Sequence, residues 1–208
     1  MRVLIACEFS GTVRDAFAQL GHEAWSCDIV PSEKPGKHIQ GDVLAVLNDG
    51  WDLMIAHPPC QFLSYAGMAW WNKPGRAEQR ESALAFFMAL VNAPIPYICV
   101  ENPRGWPCQV YRQPDQVIHP YMFGDEAYKR TCLWLKNLPP LWHWDKPGSL
   151  FEVTAVLPPQ PVSIDRTGKK RHYVDSAVRK SSDRARTFPS IARAMASQWG
   201  QYPAFKLA

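Results

Sequence analysis

The sequence predicts an α/β protein built on a mostly parallel sheet with helices on both faces. Three observations carry that expectation. Short apolar runs alternate with helical patterns over the first hundred residues, the mark of successive β-α-β units. At 208 residues, 47% hydrophobic and 20% charged, the chain is long enough for one buried core and short for two. Acidic, aromatic and thiol side chains gather where the apolar runs end, and in open α/β sheets ligands bind at the carboxyl ends of the strands.

The elements follow in order. Arg2–Cys7 (RVLIAC) reads as a buried strand, Phe9-Ser10-Gly11 as the turn, and VRDAFAQL as a helix closed by Gly21. EAWSC is a second strand ending at Asp28. A loop rich in Pro, Lys and Gly leads to HIQGDVLAVL, with a strand end at Gly41-Asp42. WDLMIA is a third strand-like run and stops at His57-Pro58-Pro59-Cys60. After an aromatic loop, FLSYAGMAWWNKPG, a helix is expected from about Arg76 to Asn92, with Glu78 and Glu81 in its first turns. YICV then runs as a buried strand into Glu101-Asn102-Pro103. The second half offers a strand at TCLWL, a segment rich in Pro and Trp, a basic stretch, and a final helix, SIARAMASQW, stopped by Gly200.

Composition removes several classes of function. The longest uncharged apolar run, 84–100, holds Asn92, Pro94 and Pro96, so no membrane-spanning helix is expected. The N-terminal apolar run is too short for a secretion signal, which points to a cytoplasmic protein. Six cysteines lack a Cys-x-x-Cys pair or regular spacing, so neither a disulfide framework nor a metal site is expected. The first turn has one glycine where a dinucleotide fingerprint wants three, which disfavours NAD and FAD, and no P-loop motif is present.

Two residues stand out chemically. Cys60 follows two prolines whose fixed φ angles aim it from a strand end, where a structural cysteine would more often lie inside the strand, as Cys99 does. Glu101 ends the next apolar strand, and desolvation there is expected to raise its pKa and suit it to proton donation. A nucleophilic thiol beside a carboxyl group is a pair for covalent catalysis.

In order and spacing, Phe9-x-Gly11, Asp28, Gly41-Asp42, Pro58-Pro59-Cys60 and Glu101-Asn102-Pro103 resemble the motifs of the cytosine-5 DNA methyltransferases. The resemblance covers residues 1–105 and fades beyond. It implies a Rossmann-like S-adenosylmethionine-dependent methyltransferase fold, a single catalytic domain over residues 1–208, and S-adenosylmethionine as cofactor. Phe9 would lie against the adenine, Gly11 and Pro59 would line the cofactor site, Asp28 would hold the ribose hydroxyls and Asp42 the adenine amino group. Cys60 would attack C6 of a cytosine in DNA, flipped out or single-stranded, and Glu101 would protonate N3. Arg130, ahead of TCLWL, would contact the base.

The chain departs from the family pattern in three places. Val13 stands where a second glycine is usual, no Gln-Arg pair precedes Arg130, and only residues 139–186 are left for target recognition. In that economy the chain is similar to the short members found in phages and prophages. Charge is spread unevenly: residues 1–100 carry 7 Lys and Arg against 10 Asp and Glu, whereas residues 151–208 carry 10 against 4. Lys169, Lys170, Arg171, Arg184 and Arg186 lie in the basic stretch, expected as a loop or short hairpin. It reads either as a solvated surface or as a contact for a nucleic-acid backbone. RNA or a free cytosine nucleotide as substrate, and a non-catalytic nucleic-acid-binding relic, remain alternatives.

Overall fold

The computed structural model describes residues 1–143, 158–161, 163–164, 166–168, 170–171 (backbone only) and 185–201. Five strands occupy the first half: β1 (Arg2–Ala6), β2 (Glu23–Asp28), β3 (His38–Gln40), β4 (Leu53–Ala56) and β5 (Tyr97–Asn102). With β6 (Gln116–Ile118) and β7 (Thr131–Lys136) they make one seven-stranded sheet in the order β3-β2-β1-β4-β5-β7-β6. The first five pair in parallel, while β7 runs antiparallel between β5 and β6. This is an α/β architecture with a mostly parallel sheet of Rossmann-like form, as expected. A separate two-stranded hairpin joins β8 (Ser163–Ile164) to β9 (Lys170–Arg171); β9 lies within residues 165–186, the stretch expected to be a loop or short hairpin, and β8 just precedes it.

Both faces of the sheet are covered, and the strands show why. Along β1, Leu4 and Ala6 join one core cluster and Val3 and Ile5 the other, the period-two alternation of a strand buried on both sides. Helices α1 (Thr12–Gln19) and α4 (Pro189–Trp199) cover the Val3 face through Val13, Phe17, Ile191 and Trp199. Helix α2 (Arg76–Val91) covers the other through Phe87, Leu90 and Val91, with Phe87 edge-on to Trp134 at 5.2 Å. A single turn of helix, α3 (Pro107–Val110), follows β5. Strand β6 and α3 have no counterpart among the expected elements, because runs of three and four residues are too short to show a period.

The turn after β1 is held by two buried charges. Glu8 is 4% exposed, and its carboxylate accepts the backbone N–H groups of Val13 and Arg14 at 2.7 and 3.2 Å, so it caps α1 from within the preceding turn. Arg14 is 1% exposed and reaches the other way, into the loop after β2. It donates to Asp15, Ser26 and Ser32 and to the carbonyls of Lys34 and Pro35. Room for its guanidinium requires Gly11 and Gly36. A Cβ at either would lie 2.5 or 2.6 Å from it, and their φ angles of +70° and +146° disfavour any other residue. Arg14→Ala should therefore lower stability by about 3 kcal/mol, by stranding the polar groups it satisfies. Urea denaturation checks this, and a loss under about 1 kcal/mol would contradict the assignment.

Candidate active site

Parallel pairing delivers the expected residues to one edge of the sheet. Phe9 and Gly11 follow β1, Asp28 ends β2, Asp42 follows β3, Pro59 and Cys60 follow β4, and Glu101 lies near the end of β5. The order of the strands reverses between β1 and β4, and at such a reversal a crevice opens at the carboxyl ends.

Cys60 is exposed, and its carbonyl accepts Leu63 and Ser64 N–H in a tight turn. Backbone and side-chain staples fix that turn against the end of β5. Asn102, buried on β5, donates its side-chain amide to the Pro58 carbonyl at 2.8 Å. Trp106 N–H donates to the Leu63 carbonyl at 2.7 Å, and Gly105 packs so closely that a Cβ there would sit 2.0 Å from that oxygen. The Pro-Pro-Cys and Glu-Asn-Pro segments are thus one rigid unit.

The cysteines divide sharply. Burial, helped by Asp28, Cys27 and Asp42, pushes the Cys7 thiol up to about 12, and burial also lifts Cys27 to about 11 and Cys132 to about 12. Cys99 rises well above the ordinary thiol range for the same reason. These four are held as thiols at neutral pH and suit packing rather than attack. Cys7, the residue after β1, also has φ +58°, an uncommon conformation for a non-glycine residue.

Glu101 corrects the expectation of a raised pKa. Burial does push its pKa upward, but the Lys129 charge and the His57 ring outweigh it and hold the carboxyl at about 2. Register explains the partner: Ala56 pairs with Val100, so the next residues, His57 and Glu101, emerge side by side, with Nδ1 2.9 Å from Oε2. No local pattern marks His57 or Lys129 as a partner of Glu101. Arg130 is exposed and lines a cavity of about 420 Å³ with Arg104, His119 and Cys132.

Asp28 and Asp42 each have a local duty. Asp28 accepts Val30 N–H at 3.1 Å, and Asp42 caps the short 3₁₀ turn Val43–Val46 by accepting Leu44 N–H at 3.0 Å. Those bonds engage one oxygen of each carboxylate. Two carboxylates that accept hydrogen bonds, a half-buried phenyl ring and nearby main chain suit a nucleoside whose hydroxyl and amino groups donate. Space near the end of β1 is tight, because Ala185 and Thr187 close with Cys7, Glu8, Phe9, Ser10 and His57 around a cavity of about 10 Å³. Arg186, in the middle of that strap, makes a two-pronged ion pair with Glu33, at 2.6 and 2.9 Å, and lies 6.0 Å from the Phe9 ring centre. Lys169 and Arg184 lie outside the described residues, as do the side chains of Lys170 and Arg171.

Beside Cys60, the loop leading to α2 interleaves aromatic and basic groups. Arg80 lies 5.0 Å from both the Trp71 and Trp106 rings, Lys73 lies 4.0 Å over Trp70, and Arg76 lies 5.1 Å from Phe62. Phe62, Trp70, Trp71 and Arg76 line a cavity of about 220 Å³, and Trp70 is 51% exposed. Among the described residues no three His, Cys, Asp or Glu side chains gather to hold a metal, and no helix is long and apolar enough to cross a membrane.

No family model matches the chain, and no curated protein matches it. The similar solved structures include, at 15% identity and a TM-score of 0.40, a protein from E. coli provisionally named a DNA modification methyltransferase encoded within a prophage. The likeness covers 64% of this chain and 45% of that one, so this chain matches less than half the neighbour's length.

The depressed Glu101 pKa makes a prediction about stability. Its folded value lies below its ordinary value of 4.5, so the carboxylate stabilises the fold above about pH 4.5, and that stability is lost as pH falls toward 2. The difference amounts to about 3 kcal/mol. Glu101→Gln should flatten the fall in unfolding free energy across that window, and an unchanged acid limb would contradict the assignment.

Proposed function

We propose that the chain is an S-adenosylmethionine-dependent methyltransferase acting on C5 of cytosine in DNA through a covalent bond to Cys60. The observation that carries this reading is the pinning of the turn that bears exposed Cys60 to the end of the strand that bears Glu101, through Asn102 to Pro58 and Trp106 to Leu63. A thiol nucleophile beside a carboxyl group suits cytosine, whose C5 is too electron-poor to take a methyl group until a nucleophile adds at C6.

The residues divide the work. Cys60, as thiolate, forms the S–C6 bond, and the C5=C6 electron pair moves into the ring toward N3, which takes a proton. Glu101 is ionised in the free protein. Entry of a base would exclude water from it, and desolvation, already the largest influence upward on its pKa, would draw the carboxyl toward holding the proton that N3 needs. Arg130, with Arg104 beside it, would hold the base by its oxygen or the adjoining phosphate. Once C5 carries the methyl group, a water molecule takes the C5 proton, the C5=C6 bond reforms as the Cys60 thiolate leaves, and N3 returns its proton to Glu101.

Phe9, Gly11, Asp28, Asp42 and Pro59 would hold S-adenosylmethionine, which when bound supplies an electrophilic methyl group to C5. Its entry requires the Ala185–Thr187 strap to yield, since the cavity there is about 10 Å³. The aromatic and basic loop after Cys60 suits a displaced base, since stacking and cation contacts are tolerant of sequence. Residues 139–186 would stand in for a recognition domain, with Lys169, Lys170, Arg171, Arg184 and Arg186 toward the phosphates.

Purified protein incubated with labelled S-adenosylmethionine and, separately, duplex DNA, single-stranded DNA, tRNA and dCMP should yield 5-methylcytosine in DNA by nucleoside mass spectrometry. Label in tRNA or dCMP alone would move the substrate, and label in none would favour a binding relic. Cys60→Ser should abolish transfer, and Glu101→Gln should cost about 10² to 10⁴ in rate. Neutralising Lys169, Lys170 and Arg171 together should flatten the log-affinity against log-salt slope for DNA by about 0.7 to 0.9 for each phosphate left without its cation. An unchanged slope would make that stretch a solvated surface.

A further inference from the structure

We propose that His57 is the positioning residue of Glu101: its Nδ1–H holds Oε2 and so fixes the carboxylate plane that meets the substrate. The inference rests on the methyl-transfer reading for its catalytic consequence, though the hydrogen bond stands apart from it. His57 side chain is 7% exposed and Glu101 15%, so the 2.9 Å hydrogen bond is shielded from water and strong. The two side chains leave from adjacent positions on paired parallel strands, so sheet register itself enforces the meeting.

The far nitrogen of the ring fixes the proton. Nε2 is buried with no hydrogen-bond partner among the described residues. A stranded N–H there would cost more than a stranded lone pair, and a carboxylate can only accept, so the neutral ring carries its proton on Nδ1. Other groups that face or feel Glu101 are Lys129, ahead of β7, and the thiols of Cys99 on β5 and Cys132 on β7. Lys129 supplies charge, and the planar, packed imidazole supplies direction. Misplacing a reacting group by about 1 Å can cost about 10² in rate.

His57→Ala, His57→Asn and His57→Gln in the full chain separate this role from packing. An Asn amide can place an N–H near the Nδ1 position, whereas Gln places it near Nε2. On single-stranded or duplex DNA, His57→Ala should lower kcat about 10- to 100-fold with little change in KM, His57→Asn should recover most of the loss, and His57→Gln should not. In parallel, carbon-13 NMR of glutamate-labelled protein, with Glu101→Gln for assignment, should show the Glu101 carboxyl titrating higher in His57→Ala and near its original position in His57→Asn. Equal activity in all three variants, better recovery by Gln than by Asn, or an unmoved Glu101 titration in His57→Ala would overturn the assignment. If wild type transfers no methyl group, the enzymatic reading fails, and the NMR titration still decides whether His57 holds Glu101.

Discussion

Parallel pairing of β3, β2, β1, β4 and β5 forces every one of these strands to leave the sheet at the same edge, and the chemistry of the molecule depends on that constraint. A parallel strand cannot return by a tight turn, so each exit must begin a loop, and five loops crowd one rim. What distinguishes this rim is how few of its loops are left to chance. Asn102 pins Pro58, Trp106 pins Leu63, Glu8 caps α1, and Arg14 ties α1 to the loop after β2. Each tie satisfies a main-chain donor or acceptor, so breaking one leaves that group unpaired.

The fold was legible in the sequence because strands buried on both faces are nearly continuous apolar runs, and RVLIAC, WDLMIA and YICV announce themselves. Turn chemistry was legible too, since Pro-Pro and Asn-Pro constrain φ directly. The packing role of Gly11 was not. Expected to line a ligand, Gly11 also makes room for the Arg14 guanidinium, which arrives from three residues along and needs Gly36 as well. A contact between a helix and a loop twenty residues away leaves no local pattern.

The state of Glu101 was misread for a related reason. Burial could be anticipated from the apolar strand that precedes it, but the sign of a pKa shift depends on which charges face the group, and these come from the end of β4 and from the segment before β7. Register supplies His57 and tertiary packing supplies Lys129. The same distinction sorts the cysteines: an apolar setting silences Cys7, Cys27, Cys99 and Cys132, while Cys60 stands exposed beyond its prolines. Arg186, expected at the phosphates from its place in a basic run, pairs in the free protein with Glu33 beside the Phe9 ring, a partner that no local pattern marks.

The central claim is that Cys60 bonds covalently to cytosine, and mechanism-based trapping tests it most directly. Incubated with S-adenosylmethionine and DNA containing 5-fluorocytosine, the protein should form a complex stable to denaturant, because fluorine at C5 cannot leave as a proton does and the final elimination stalls. Peptide mass spectrometry should then find the modified base on the peptide that contains Cys60. A methylating protein that forms no such adduct, or one that carries the base on another cysteine, would contradict the account.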